Sequence, residues 1–290
     1  MLVLVGSLLV LSCVLGGYVL SHGHILALWQ PSELMIIGGG AMGAFLSANP
    51  LKIVKGALHN IVALFKGPKY RKQDYVDLLA LLYDIFGVMR KQGLLGLESH
   101  IEDPQSSPVF SAYPRLVKEH HLIEFTTDCL RLMVGGNMNP HELEQLLEVE
   151  LETHQHEAEA PALAVMKLAD ALPGFGIVAA VLGIVTTMSQ LGGDTSQIGE
   201  HIAGALVGTF LGILLCYGFV GPLGAAMENR VQEDGRAFEC VKVALLACLR
   251  GYNPKVAVEF ARKTLSPQAR PNFQDFEAHL KDSARAGASV

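Results

Sequence analysis

The stretch ADALPGFGIVAAVLGIVTTM, residues 169–188, decides how this chain is read. Asp170 and a Pro-Gly pair open it, and the remainder is apolar except for two threonines. A run of about 20 mostly apolar residues is long enough to cross the hydrocarbon core of a bilayer. A soluble core helix avoids this much glycine, because each interior glycine costs roughly 0.5–1 kcal/mol relative to alanine. Gly176, Ala180, Gly183 and Thr187 fall at i, i+4, i+7 and i+11, which is one continuous helical face. Small residues on one face let another helix approach closely. That helix is either a neighbouring span of the same chain or a span of a separate partner.

Outward from this segment, the distribution of charge fixes the class. The 290 residues are 50% hydrophobic and only 17% charged, below the quarter or so usual for soluble domains. No Lys or Arg occurs in residues 1–51, and none occurs between Lys167 and Arg230. Four segments read as membrane spans: 1–21, 34–50, 172–190 and 203–225. The first is apolar from its start, without a basic leader or an A-x-A site, and reads as a retained helix rather than a signal peptide. The loops 22–33 and 191–202 lack positive charge, whereas 51–171 and 226–290 carry all of it. The positive-inside rule therefore places both loops in the periplasm and both basic segments, with the two termini, in the cytoplasm. The expected class is an all-α, multi-pass membrane protein with four transmembrane helices and a helical cytoplasmic domain.

Within the cytoplasmic part, residues 51–67 read as an amphipathic helix on the membrane surface. Residues 73–103 read as two helical pieces hinged near Gly93. Residues 139–160 read as an acidic helix capped by Asn139, with Pro140 in its first turn. The tail 275–290 reads as frayed, and 226–290 as a helical C-terminal segment.

Several function classes are excluded. A net charge of −6 without a basic, aromatic-interleaved block argues against nucleic acid. The five cysteines are odd in number and form no CxxC, as expected of free thiols. His154 and His156 lie two apart on a helix and do not share a face, so they are not a metal pair. The sequence Gly38-x-Gly40-x-x-Gly43 matches a dinucleotide fingerprint, but the first acid after it is Asp74, too distant to hold a ribose. Close helix packing explains those glycines better, as it does the double GxxxG of Gly204, Gly208 and Gly212. No nucleophile–base arrangement points to an enzyme.

Ionisable residues inside a membrane are functional candidates by default. The four spans contain no Asp, Glu, Lys, Arg or His; Glu33, Asp170 and His201 sit at their edges. Either the chain is not an ion path, or a partner supplies the carboxylate. Arg90, Lys91 and Glu98, flanking Gly93, read on their own as ordinary surface charges.

Taken in order, MLVLVG, QPSELMIIGGG, DLLALLY, RKQGLLGLE, ETHQHEAEAPA, LPGFGIVAAVLGIV and VGTFLGILLCYGFVGPL resemble the MotA family over essentially the whole length. These are flagellar-motor stator subunits of the MotA/TolQ/ExbB proton-channel superfamily, in the bacterial inner membrane. The resemblance implies a homo-oligomeric, pentameric ring around a dimer of a MotB-like single-span subunit, which supplies the ion-binding Asp. It implies that Arg90 and Glu98 engage the rotor protein FliG. It also implies that Pro173 and Pro222 matter for torque, with Gly176, Ala180, Gly183, Thr187, Thr209 and Tyr217 in the torque and ion-pathway set. Sodium needs several oxygen ligands. Ala180 stands where sodium-type relatives carry threonine, and the fourth span offers Thr209, so the expected ion is H+. No cofactor is implied. The rivals are an ExbB/TolQ-like energiser, which has three spans, and a non-conducting membrane scaffold.

Overall fold

The computed structural model describes residues 2–136, 139–189, 195–274 and 276–277. Residues 190–194 and 278–290, the latter holding most of the frayed-end reading, lie outside them. The described elements are helical and form two compact units, 1–67 with 157–231 and 68–156 with 232–290.

The first unit contains helices α1 (Leu2–Leu20), α2 (Pro31–Ala48) and α3 (Leu51–Phe65), with the later part of α9 (Pro140–Ser189). It also contains α10 (Thr195–Leu215), a π turn (Cys216–Val220) and the start of α11 (Gly221–Leu249). Among the described residues, three stretches are long and apolar enough to cross a membrane: Leu2–Leu20, Pro140–Ser189 and His201–Leu249. Helix α1 is apolar all round and has no buried residue, which suits lipid rather than water. The second expected span lies in α2. Its 18 residues open on Pro31, Ser32 and Glu33, leaving about 22 Å of apolar helix at 1.5 Å per residue.

Helix α2 buries one i+4 stripe, Glu33, Ile37, Ala41 and Phe45. Ile37 and Ala41 pack with Ala169, Leu172, Ala179 and Cys216. Phe45 packs with Ala57 of α3, Ala162 and Val165 of α9, and Met227 of α11. Of the α2 glycines, only Gly40 makes a close contact, where an added Cβ would meet the Phe175 ring at 2.4 Å; Gly38, Gly39 and Gly43 face open space. The close-packing account of that cluster therefore holds at Gly40 alone.

Helix α9 begins as expected, with Asn139 Oδ1 accepting from the backbone N–H groups of His141 and Glu142. It then continues for 50 residues through Pro161 and Pro173, where the residue pattern suggests an acidic helix separate from a span. Each proline removes one backbone donor, and packing holds the helix together there. Pro161 Cγ lies 3.0 Å from where a Cβ on Gly56 would stand. The π turn has a similar cause. Pro222 cannot donate to the carbonyl four residues back, and the ladder widens just before it, with the Gly221 N–H donating to the Cys216 carbonyl.

The second unit is built on α4 (Lys72–Gln92), α5 (Glu98–Glu102), α6 (Pro108–Ser111), α7 (Pro114–Val117) and α8 (His120–Val134), with α12 (Pro254–Thr264) and the later part of α11. Leu78, Leu79, Leu81, Leu82, Ile85 and Phe86 of α4 enter one core with Leu130, Val241, Leu245 and Val258. Its buried charged groups are paired. Asp74 accepts from the Arg71 backbone N–H at 2.7 Å and from Arg115 at 3.1 Å. The buried Arg262 guanidinium donates to both Glu259 oxygens and to the Pro271 carbonyl, each at 2.7 Å. That bidentate contact holds the Glu259 carboxyl below its ordinary range. Burial pushes the Cys129 thiol up.

Candidate ion pathway and rotor-facing surface

The glycines of α9 and α10 pack against one another. A Cβ on Gly176 would stand 3.0 Å from the Gly208 carbonyl oxygen and 3.2 Å from Gly212 Cα. One on Gly212 would stand 2.8 Å from the Leu172 carbonyl oxygen and 3.3 Å from Pro173 Cα. One on Gly183 would stand 3.0 Å from Ala205 Cβ. The pairs 172/212, 176/208 and 183/205 run in opposite directions, so the two helices are antiparallel at backbone contact. Thr187 is buried, and its hydroxyl donates to the Gly183 carbonyl at 2.8 Å. Ala180 and Thr209 are half-buried.

These contacts give the small-residue face an occupant within the chain: it joins two spans, α9 and α10. Two consecutive spans that both carry small-residue faces, tethered by a short loop, find each other first. The outward side of α9 presents Ile177, Val181, Ile184 and Val185, that of α10 presents Leu206 and Ile213, and the π turn presents Tyr217. Pro173 is half-buried beside the seam, and Pro222 is exposed after the π turn.

Chain position alone puts Glu33 at the edge of a span. The structure puts it inside the packed bundle, 7% exposed. Pro31 starts α2 early, and Glu33 then shares a stripe with Ile37, Ala41 and Phe45. Its Oε2 is buried without a hydrogen-bond partner, at 2.9 Å from where a Cβ on Gly208 would stand. The available signal was Pro at the first helical position followed by an unbroken i+4 series.

Arg90 lies in the last turn of α4, and Glu98 begins α5; both are exposed. Gly93, at φ 76°, turns the chain between them, a conformation that disfavours any side chain. Leu97 is buried and Leu94 half-buried in the core of the second unit, while Lys91, Leu95 and Glu98 are open to solvent. The hinge expected from sequence is a turn at Gly93 with charges at its edges. His154 stacks on Phe238 with ring centroids 4.4 Å apart. Among the described residues there is no cluster of three potential metal ligands.

The motility protein A N-terminal family matches residues 4–93, and the MotA/TolQ/ExbB proton channel family matches residues 118–239. Motility protein A of Salmonella typhimurium is 47% identical over 281 residues, covering 97% of this chain and 95% of the relative. That of Escherichia coli is 45% identical over the same shares. The chemotaxis protein LafT of Vibrio parahaemolyticus is 43% identical, covering 96% of this chain and 97% of its own. Among solved structures, the flagellar MotAB stator complex of Bacillus subtilis matches with a TM-score of 0.68 at 25% identity, covering 88% of this chain and 92% of that one. The C. jejuni MotAB structure shares the fold, with a TM-score of 0.73 at 21% identity, covering 93% and 98%. Nearly half of the residues are identical over almost the full length, and the chain belongs to the motility protein A family of MotA/TolQ/ExbB proton channels.

Proposed function

We propose that this chain is a stator subunit of a bacterial flagellar motor, coupling proton flow across the inner membrane to torque on a rotor. The observation that carries the reading is 47% identity to a motility protein A over 97% of the chain. The likeness to MotAB complexes supports a MotB-like single-span partner that brings the ion-binding Asp. A homo-oligomeric ring, pentameric as in the superfamily, encloses that partner. In this topology α2 is the second span despite its short apolar length, and both termini are cytoplasmic, as the charge distribution favours.

Moving one elementary charge through 100 mV supplies about 2.3 kcal/mol. Each proton neutralises the partner's Asp and lowers the cost of moving that side chain along the ring interior; its release to the cytoplasm resets the cycle. The α9–α10 pair moves as one body, because backbone contact at Gly176 and Gly212 leaves no slack between the helices. Pro173 and Pro222, where the hydrogen-bond ladder is interrupted, are the compliant points. The outward residues Ile177, Val181 and Tyr217 and the half-buried Ala180 and Thr209 border the path. The absence of oxygen ligands at Ala180 favours H+ over sodium.

The charges at the Gly93 corner meet FliG. Contacts between opposite charges steer association and weaken in salt. Each of Arg90→Glu and Glu98→Lys is expected to slow swimming about two- to tenfold, consistent with loss of close interfacial charge pairs. The double variant is expected to stop swimming, with membrane insertion unchanged. Tethered-cell torque measures this, and full torque from the double variant would remove the rotor role from this surface.

A further inference from the structure

We infer that Glu33 is a proton-binding site of this chain itself, a carboxyl group in the outer half of the helix bundle that takes up and passes on the transported proton. The inference rests on the motor reading above and adds a second titrating carboxyl to the one the partner brings.

Two glycines of α10 receive two polar side chains from the start of α2. Gly204 faces the Gln30 amide, whose atoms lie 3.6 Å from where a Cβ would stand. Gly208, one turn on, faces Glu33, with Oε2 at 2.9 Å and Cδ at 3.5 Å from where its own Cβ would stand. A methyl group at 208 would occupy the space of the carboxyl group. The seat is otherwise apolar, since Ala179 Cβ lies 3.3 Å from that position and Ile37 comes next on the buried stripe. Among the described residues, α10 presents Gly204 and Gly208 to this end of α2, and α9 presents Ala179. Among the described residues, Oε2 has no hydrogen-bond partner.

An ionised carboxylate held there without a partner is prohibitively costly, and a cation large enough to need several oxygens finds only one carboxyl group. A proton satisfies the site at once. A carboxyl group that takes up a proton in this seat and gives it up when hydrated can load from the outer side and discharge inward. Its place on the face of α10 that also contacts α9 puts it on the helix pair assigned to the pathway.

The test uses the full chain with its single-span partner, reconstituted in liposomes, reading proton flux and the infrared band of buried protonated carboxyl groups. Glu33→Gln is expected to assemble and to lose about a hundredfold of the flux, the scale on which a positioned proton-transfer group acts. Glu33→Asp is expected to keep measurable flux with a displaced pH midpoint. A buried carboxylic band that titrates in the parent should be missing from E33Q and displaced in E33D. Flux within twofold of the parent in E33Q would overturn the site. Should E33Q fail to assemble, E33D decides: an infrared titration and a flux–pH curve identical to the parent's would overturn it as well. A parent complex that conducts nothing while its Glu33 band still titrates would instead sink the motor reading and leave Glu33 a proton-binding group.

Discussion

Gly212→Ala is expected to abolish ion conduction, although it adds a single methyl group. That methyl would stand 2.8 Å from the Leu172 carbonyl oxygen, 3.1 Å from Gly176 Cα and 3.3 Å from Pro173 Cα. All three neighbours are backbone atoms of α9, so no side-chain rotation relieves the clash. Overpacking of a tight interface costs about 1–3 kcal/mol, and the helices separate to escape it. Ångström misplacement of a working site costs about a hundredfold in rate, and flux through the reconstituted complex should fall on that scale while the protein still inserts. The matched controls are Gly38→Ala and Gly39→Ala on α2, where nothing lies within 4 Å; these should conduct as the parent does. Equal behaviour of Gly212→Ala and the controls would show that the α9–α10 seam is not tight in the working motor.

Pro222→Ala should make the chain more stable and the motor useless. Alanine is about 3 kcal/mol more favourable than proline in a helix interior, and the new N–H gives the Gly218 carbonyl an ordinary α-helical donor. The π turn Cys216–Val220 then has no reason to persist. Tightening it by one residue rotates α10 by about 100° relative to α11, carrying Gly208 and Gly212 off their seats on α9. The expected result is a raised melting temperature in detergent together with loss of swimming. A variant that swims at parental speed would show that the widened turn has no part in torque.

Much of the fold is legible in the residues because it is local. Apolar length and the absence of Lys and Arg mark helices α1, α9 and α10 as candidate spans, Asn139 and Pro140 announce the start of α9, and Gly93 announces the corner between Arg90 and Glu98. The features that stay hidden depend on which helix meets which. A glycine face says that something comes close, without saying whether it is a span of the same chain or of another; here α10 packs on it. Glu33 looks peripheral because hydropathy counts residues along the chain, whereas its burial is set by an i+4 stripe meeting Gly208 on a helix 175 residues later. The uninterrupted α9 is equally hidden. Proline breaks helices in water, but inside a packed bundle neighbouring helices hold the freed groups. Arg90 and Glu98 draw attention only through the resemblance, since surface charges at a helix corner are ordinary by themselves.

The central claim is that this chain turns proton flow into rotation. It is tested most directly by the rotation rate of tethered cells whose only copy of this subunit is the present chain, as a protonophore is titrated at fixed sodium concentration. The account predicts a rate that falls with the proton-motive force to zero and does not change when sodium is withdrawn. Rotation that survives the protonophore and tracks sodium, or that persists when the chain itself is deleted, would contradict it.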